Sequence, residues 1–401
     1  MTNALLHPFA PVAKPMSDYI NIVRGAGSLV YDDTGKDYVD GLGSLWYCQV
    51  GHGRTEIIDA VADQMRRIEA YNIFDPFTNE PADRVAEMIV ERSPFPDGRV
   101  FLGCSGSEAV DTAIKIARQA MQRRGQTERQ VVVRRTNGYH GTNFGGTSAQ
   151  GIAPNREGWG DLVPHFVEVP HDDLEAAAQV FADQGDRIAA IITEPVQGAG
   201  GVFPPVDGYL EGLRRLCDQH GALLIFDEVI CGFGRTGEWF GAQTFGVTPD
   251  LITFAKAVTS GYQPLSGVIL SRDLSAEFEE PGFLLRTGYT YSGHPAACAA
   301  GIANIELMEA EDLVVRGRHV GGQIRDGLEA LVGDGLIESW RGIGAVYAAE
   351  LERDSIPVRN EILANGVIVR PIGTCLAICP PLVISDDEVG RIIDTMAAAL
   401  K

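Results

Sequence analysis

Hydrophobic residues recur along this chain with two different spacings. From about residue 98 onward, short apolar runs rich in β-branched residues alternate with stretches whose apolar positions recur every three or four residues. The first pattern predicts buried strands, and the second predicts helices that cover them. This alternation is typical of an α/β protein with a mainly parallel sheet and helices on both faces.

The predicted elements follow one another in a regular order. Strands are predicted at 99–103, 130–134, 188–193, 222–228 and 250–255, and helices at 107–122, 174–184 and 208–220. Upstream, residues 28–40 predict a hairpin, and residues 54–70 predict a helix with Ile57, Ile58, Val61, Met65 and Ile68 on one side. Ligands of such sheets bind beyond the carboxyl ends of the strands, so we expect the functional residues there.

The pattern changes after about residue 300. A long helix is predicted to begin near Ala296, followed by short strands at 345–351, 367–370 and 376–379. Ser385 to Glu388 form a capping-box sequence that predicts a final helix ending at Leu400. This region is therefore expected to form a smaller α+β domain.

Composition and charge exclude several classes of protein. The net charge of −21 argues against binding to nucleic acid or to an anionic membrane surface. No apolar run reaches the roughly 18 residues of a membrane span, and the first residues lack the pattern of a secretory signal. The seven cysteines form no CxxC pair, which argues against a zinc site or a disulfide framework. We expect a cytoplasmic protein with reduced thiols.

Two predicted strands end in groups that suit one cofactor. Asp227 ends the first, and Lys256 follows the second, 29 positions later. A lysine amine can form a Schiff base with pyridoxal phosphate, and a carboxylate can keep the pyridine nitrogen protonated. Taken singly, Lys256 is equally explained as a solvated lysine, and Asp227 as a structural acid or metal ligand. No histidine cluster accompanies Asp227, so no metal site is predicted.

Two glycine-containing loops follow predicted strands. Gly103 to Glu108 precede a helix, where glycine and free N–H groups suit a phosphate, although a simple helix-capping turn explains the same residues. In the loop at 137–141, Tyr139 is placed to stack on a flat cofactor, with a surface turn as the alternative. The neighbouring His140 is more typical of a structural hydrogen-bonding residue than of a catalytic base.

A third loop, Gly232 to Gly237, matches the GxGxxG pattern of dinucleotide-binding enzymes. That site needs a helix directly after the first glycines, and the residues that follow have no sustained helical pattern. The carboxylates of Asp227 and Glu228 also precede the loop and would repel a pyrophosphate. A nicotinamide-dependent dehydrogenase is therefore a weak alternative.

Taken together, these segments resemble the class III aminotransferases, which are fold-type I pyridoxal-phosphate enzymes. The stretch from Phe226 to Gly237 is similar to the ω-transaminase branch, as are the motifs at 105–109, 139–141, 194–198 and 290–295. The resemblance extends from about residue 20 to the C-terminus. It implies a large cofactor-binding domain at 47–295 with a mainly parallel central sheet. It also implies a smaller α+β domain built from 1–46 and 296–401.

The resemblance also implies a role for each matching residue. Lys256 would carry the cofactor as a Schiff base and move the proton, while Asp227 would pair with the pyridine nitrogen. The expected cofactor-binding residues are Ser105, Gly106, Ser107, Tyr139, His140, Glu194, Asp227, Val229, Lys256 and Thr290. Thr290 would reach the cofactor phosphate of a neighbouring subunit, which implies a homodimer with shared active sites, or a tetramer. The expected substrate-binding residues are Trp46, Phe74, Tyr139, Ala199 and Arg370.

The implied activity is transfer of an amino group from an amine or ω-amino acid to a keto acid. Arg370 matches a mobile arginine that binds a substrate carboxylate. Ala199 replaces the glutamate of the γ-aminobutyrate and ornithine branches, which favours pyruvate as the acceptor. Val110 stands where the family usually has asparagine. The segment between residues 141 and 165 is short, and this is expected to reshape the pocket. A decarboxylase or an aminomutase of the same family is the alternative.

Overall fold

The structure, a computed structural model, describes residues 4–401 and is organised by three β-sheets. The strands are β1 (Ile22–Ala26), β2 (Leu29–Asp32), β3 (Asp37–Asp40), β4 (Arg99–Gly103), β5 (Val131–Arg135), β6 (Phe166–Val169), β7 (Ile188–Thr193), β8 (Leu223–Asp227), β9 (Leu251–Phe254), β10 (Ser266–Leu270), β11 (Ser339–Ile343), β12 (Val346–Glu350), β13 (Val367–Ile368), β14 (Arg370–Ile372) and β15 (Cys375–Ile378).

Helices cover these sheets. They are α1 (Gly43–Trp46), α2 (Thr55–Arg67), α3 (Glu80–Arg92), α4 (Gly106–Arg123), α5 (Phe144–Ala149), α6 (Leu174–Gln184), α7 (Tyr209–His220), α8 (Gly241–Phe245), α9 (Arg272–Ala276), α10 (Pro295–Ala310), α11 (Leu313–Gly333), α12 (Ser355–Ala364) and α13 (Asp386–Leu400). Short 3-10 turns lie at Met16–Asp18, Ala153–Arg156 and Lys256–Val258.

The central sheet has seven strands in the order β4-β10-β9-β8-β7-β5-β6. All neighbouring pairs are parallel except those of β10, which runs antiparallel to β4 and to β9. Every residue of β5, β7, β8 and β9 is buried, because helices lie on both faces. The predicted α/β fold with a mainly parallel sheet is confirmed.

The pairing of β8 with β9 brings the two candidate residues to one edge of the sheet. Asp227 is the register partner of Thr253. Lys256 follows β9 after a single intervening residue and opens the 3-10 turn Lys256–Val258. Since both strands are parallel, their carboxyl ends meet at the same edge, and the separation of 29 positions along the chain disappears in space.

Two smaller sheets lie beside the central one. The first has the order β1-β2-β3-β13, and its parallel pair Val39↔Val367 joins segments from opposite ends of the chain. The second has the order β11-β12-β15-β14 and is antiparallel throughout. The domain division at residues 46 and 295 stays a prediction, and Met1 to Asn3 of its first segment lie outside the described residues.

One local prediction was wrong. The strand expected at 367–370 is split, because Val367 and Ile368 pair with β3 whereas β14 begins at Arg370 and pairs with β15. The helix predicted at 54–70 is observed as α2, which ends at Arg67, so Ile68 lies beyond it. On the apolar side of α2, Ile57 lies in the core, whereas Ile58 and Met65 are 48% and 51% exposed.

Within residues 4–401, no helix has both the length and the apolar character needed to cross a membrane.

Candidate active site

A cavity of about 110 Å³ lies at the carboxyl ends of the central strands. Many of the residues expected to bind the cofactor line it, namely Gly106, Ser107, Tyr139, His140, Glu194, Asp227, Val229 and Lys256. They come from the ends of β7, β8 and β9, from the loop after β5 and from the first turn of α4. The parallel sheet therefore converts five distant sequence segments into one site.

Asp227 is held by three neighbours. Thr253 donates its hydroxyl to Oδ1 at 2.9 Å, and the Val229 N–H donates to the same oxygen at 3.2 Å. The other oxygen, Oδ2, lies 2.8 Å from His140 Nδ1. Because an ionised carboxylate only accepts hydrogen bonds, this geometry calls for a proton on His140 Nδ1. The carboxylate is thereby fixed in orientation in the wall of the cavity.

Lys256 presents an amine that is free to react. Within residues 4–401, its Nζ has no hydrogen-bond partner and no ion pair. Burial lowers the pKa of this amine, and the nearby carboxylates of Asp227 and Glu194 oppose that shift. The residue has a positive φ of 51°, a conformation that is uncommon outside glycine and is often retained at functional sites. A buried amine of lowered pKa is a good nucleophile and proton carrier.

The N-terminus of α4 also lines the cavity. Ser105 caps this helix, because its hydroxyl accepts from the Glu108 N–H at 3.2 Å while Glu108 Oε2 accepts from the Ser105 N–H. Ser105 thus makes the capping turn that was the alternative explanation of this loop, whereas Gly106 and Ser107 line the cavity. The free N–H groups of the first turn suit an anion such as a phosphate.

Gly141 must be glycine for the loop to approach α4. It has a φ of +86°, and a Cβ atom there would lie 2.5 Å from Ser107 Oγ. The same Ser107 Oγ accepts from the Thr142 N–H at 2.9 Å. The loop that carries Tyr139 and His140 is therefore anchored directly to the anion-binding turn.

Glu194 fixes the walls of the cavity. One of its oxygens accepts from the Tyr139 N–H and the other from the Gly198 N–H, both at 2.9 Å. Burial raises its pKa to about 7, and the charge of Asp227 acts in the same direction, while His140 and the two N–H donors oppose the shift. Glu194 thus links the Tyr139 loop to the loop that contains Ala199.

The two carboxylates that end β8 face different surroundings. Asp227 faces the cavity, whereas Glu228 is buried and accepts from the backbone N–H groups of Gly241 and Ala242. Burial raises the pKa of Glu228 to about 8. Since successive strand residues point to opposite sides, only one of the two can serve the cavity.

The remaining predicted residues lie outside the 110 Å³ cavity. Trp46 is buried in an apolar cluster with Val196 and Ile230. Ile230 directly follows the cavity-lining Val229 in the chain. Ala199 is half-buried on the loop held by Glu194. Arg370 lies on β14, close enough to Tyr139 for its charge to act on that phenol. Burial raises the pKa of Tyr139, and the charge of Arg370 lowers it. Phe74 lines a separate surface groove of about 770 Å³, and Thr290 is exposed.

The GxGxxG stretch forms a buried turn. Arg235 within it is completely buried, and its Nη1 donates to the carbonyl oxygens of Ala345 and Pro380 at 3.0 and 2.7 Å. The next helix, α8, begins only at Gly241 and has five residues. The stretch therefore offers neither the space nor the helix start that a pyrophosphate needs.

Sequence reasoning missed three residues at the site. Thr253 bonds Asp227, and Val110 and Ile230 line the cavity. No sequence motif marks Thr253 as a site residue, because its role depends on the register of β8 against β9. In the sequence, Val110 stood out only because it replaces the usual asparagine of the family.

The cavity fits pyridoxal phosphate. A helix start suited to an anion, an oriented carboxylate, an unbonded amine and an aromatic residue all line it. At Gly106 a Cβ atom would lie 3.0 Å from Val229 Cγ1, so the glycine keeps the space between helix and strand open. These are the groups needed for the phosphate, the pyridine nitrogen, the aldehyde carbon and the ring face.

Comparison with known proteins gives a consistent result. The sequence profile of the family described as "Aminotransferase class-III" matches residues 10–400. A putrescine–pyruvate aminotransferase of Pseudomonas aeruginosa is 34% identical, with 93% of this chain and 88% of that protein covered. A β-alanine–pyruvate aminotransferase of the same organism is 35% identical, covering 98% and 94%. A crystal structure of an ω-transaminase from Pseudomonas jessenii in complex with PMP has a TM-score of 0.93 and 32% identity, covering 99% and 95%.

Proposed function

Because this chain belongs to the class III aminotransferases and is a pyridoxal-phosphate-dependent transaminase, we propose that it transfers an amino group from an amine or ω-amino acid to pyruvate. One observation carries the proposal: the free Lys256 amine and the oriented Asp227 carboxylate share a cavity with the N-terminus of α4.

When bound, pyridoxal phosphate supplies a carbonyl carbon that takes up the amino group and a ring that accepts electron density. We assign its phosphate to the N–H groups of the first turn of α4 and to the Ser107 hydroxyl. Asp227 would hold a proton on the pyridine nitrogen, and His140 and Thr253 would keep the carboxylate oriented for that role. Tyr139 would cover one face of the ring and Val229 the other.

Lys256 performs the proton transfer. With the cofactor bound, its amine would take the proton from the carbon that bears the donor's amino group and would hold it as the ammonium for return. Burial lowers the pKa of Lys256, so the neutral amine that accepts this proton is more accessible than in a solvated lysine. Asp227 and Glu194 oppose that shift and stabilise the ammonium form once the proton has been taken.

The acceptor assignment rests on the groups around Arg370. Its guanidinium is proposed to bind the carboxylate of the keto acid. Ala199 offers no carboxylate to neutralise this arginine, unlike the glutamate of the γ-aminobutyrate and ornithine branches. A small, permanently anionic acceptor such as pyruvate fits this arrangement, and both relatives compared above are named as pyruvate aminotransferases. Trp46 is proposed to limit the size of the donor.

A homodimer with shared active sites is part of the proposal. Thr290 is exposed, and Phe74, which is 49% exposed, lines the groove of about 770 Å³ together with Gly288 and Tyr289. A second subunit would cover these residues and receive Thr290 at its cofactor phosphate. We also propose a cytoplasmic location, which suits seven cysteines that are all free thiols. Sedimentation tests the homodimer, and cell fractionation tests the cytoplasmic location.

The function is tested with a panel of donors and two competing acceptors. Purified protein reconstituted with pyridoxal phosphate is incubated with pyruvate and 2-oxoglutarate, and alanine and glutamate are quantified. Alanine should dominate, and Lys256→Ala should abolish its formation while leaving the fold intact by circular dichroism. Release of carbon dioxide, or turnover without an acceptor, would instead indicate the decarboxylase or the aminomutase. Transamination at a normal rate by Lys256→Ala would refute the proposed chemistry.

A further inference from the structure

Arg341 on β11 holds a loop of the candidate active site. Its Nε and Nη2 both donate to the Gly201 carbonyl oxygen, at 2.9 and 2.7 Å. Its guanidinium also lies 4.3 Å from the centre of the Phe203 ring. Both of these residues belong to the loop that carries Ala199 away from β7. The small antiparallel sheet is therefore tied directly to this loop.

A series of hydrogen bonds leads from Gly201 into the cavity. The Gly201 N–H donates to the Gly198 carbonyl oxygen at 3.1 Å, which closes a tight turn. The Gly198 N–H donates to one oxygen of Glu194, whose other oxygen accepts from the Tyr139 N–H, both at 2.9 Å. Glu194 and Tyr139 line the cavity, whereas Arg341 and the two glycines do not. The series thus connects a guanidinium outside the cavity with two residues of its wall.

The loop after β7 also packs directly against the loop after β5. Gln197 Nε2 donates to the Thr136 carbonyl oxygen at 2.8 Å. A Cβ atom at Gly200 would collide with the Asn137 carbonyl oxygen, so glycine is needed for this close approach. Both carbonyl groups lie just before Tyr139 in the chain. A shift of the one loop is therefore passed to the other.

Glu350 fixes the orientation of the Arg341 guanidinium. Arg341 Nη1 donates to Glu350 Oε2 at 2.7 Å, and the Thr374 hydroxyl donates to the other carboxylate oxygen. Both members of the ion pair are mostly buried. Thr374 lies in the turn between β14 and β15, so the pair is anchored within the small sheet. A planar guanidinium can serve a carboxylate and a carbonyl oxygen at once in a fixed geometry, which the ammonium of a lysine does less well.

We propose that Arg341 is a positioning residue for the transamination site. It holds the loop that contains Ala199, and through this loop Glu194 keeps Tyr139 in place beside the bound cofactor. The inference rests on the proposed placement of Tyr139 on the face of the cofactor ring. It means that a residue of the small sheet, outside the cavity, controls the affinity for pyridoxal phosphate and the environment of its ring.

A matched control separates positioning from a merely structural role. Arg318 on α11 makes the same kinds of contact, because its Nε donates to the Gly237 carbonyl oxygen at 2.6 Å and its Nη2 donates to Glu238. None of these three residues lines the cavity or contacts the loop after β7. Arg318→Gln therefore removes one glycine contact and one ion pair without reaching the site.

Wild type, Arg341→Gln, Arg341→Lys and Arg318→Gln are compared by equilibrium dialysis with pyridoxal phosphate. Circular dichroism in the visible band of the bound cofactor reports how the protein surrounds the ring. Arg341→Gln should raise the Kd for the cofactor about tenfold and weaken the visible band. Arg341→Lys should recover part of both losses, since it keeps the charge beside Glu350 but not the paired donation to Gly201. Arg318→Gln should match wild type in both measurements.

A double-variant cycle tests the path through Glu194. Arg341→Gln should raise the Kd about tenfold in the wild-type background and less than about twofold in the Glu194→Ala background, because the series of contacts is already broken there. Glu350→Gln, which loosens the guanidinium without removing it, should give a smaller change than Arg341→Gln in the same direction.

Two results would overturn the positioning role. One is an equal Kd and an equal visible band for Arg341→Gln and Arg318→Gln. The other is an equal loss from Arg341→Gln in the two backgrounds of the cycle. Neither depends on turnover. A wild-type protein that binds the cofactor but transfers no amino group from any donor would instead refute the proposed function.

Discussion

The hydroxyl of Thr253 offers a sharp test of how the site controls Asp227. Thr253→Val removes the hydroxyl that donates to Asp227 Oδ1 at 2.9 Å and keeps the shape of a fully buried side chain. The carboxylate retains its contacts with the Val229 N–H and with His140. The substitution therefore changes the stabilisation of the Asp227 charge with little change in packing.

The size of the effect follows from the kind of hydrogen bond. A hydrogen bond to a charged group contributes about 1.5–3 kcal/mol. Losing it weakens the stabilisation of the Asp227 carboxylate by about that amount, which is a factor of roughly 10 to 100 in an equilibrium or a rate. A less stable carboxylate holds the proton on the pyridine nitrogen less firmly. We expect the rate of the donor half-reaction to fall about 10- to 100-fold.

The assay compares Thr253→Val with Thr236→Val. Thr236 is equally buried and bonds the Thr244 hydroxyl at 2.8 Å, away from the cavity. Thr236→Val should lose about 1 kcal/mol of folding stability in urea titrations, and Thr253→Val about 1.5–3 kcal/mol. Only Thr253→Val should slow the half-reaction and weaken cofactor binding. Equal rates for the two variants, or an unchanged rate for Thr253→Val, would refute the assigned support of Asp227.

Three further predictions concern neighbouring groups. His140→Leu should lower the half-reaction rate about 10- to 100-fold, whereas His140→Asn, which can still donate to Asp227, should retain most of it; equal losses would contradict the orienting role. Ser107→Ala should weaken cofactor affinity about tenfold in equilibrium dialysis, and unchanged affinity would exclude the hydroxyl from phosphate binding. The pKa of Glu228 is raised to about 8, so the folded state binds a proton on this carboxyl more tightly than the unfolded state does. The protonated carboxyl therefore stabilises the fold at low pH, and this stabilisation is lost as pH rises from about 4 to 8. Glu228→Gln should remove up to ~5 kcal/mol of that pH dependence in urea titrations, and identical pH profiles would contradict the shift.

Local sequence patterns predicted much of the central sheet. The strand at 188–193 and the helix at 174–184 have the bounds observed, because strongly apolar runs and helical spacing leave few alternatives. The split at Val369 was missed, since it depends on which partner each half of the segment pairs with. The sequence also left open which residues on the apolar side of α2 are covered, because that depends on the elements packed against this helix.

The sequence by itself determined the chemical groups and their order: an amine and a carboxylate at two strand ends, a glycine-rich helix start and an aromatic loop. The tertiary structure decided what those groups do. Register placed Thr253 against Asp227, and strand alternation turned Glu228 away from the cavity. These outcomes depend on contacts between residues far apart in the chain, which no local spacing encodes.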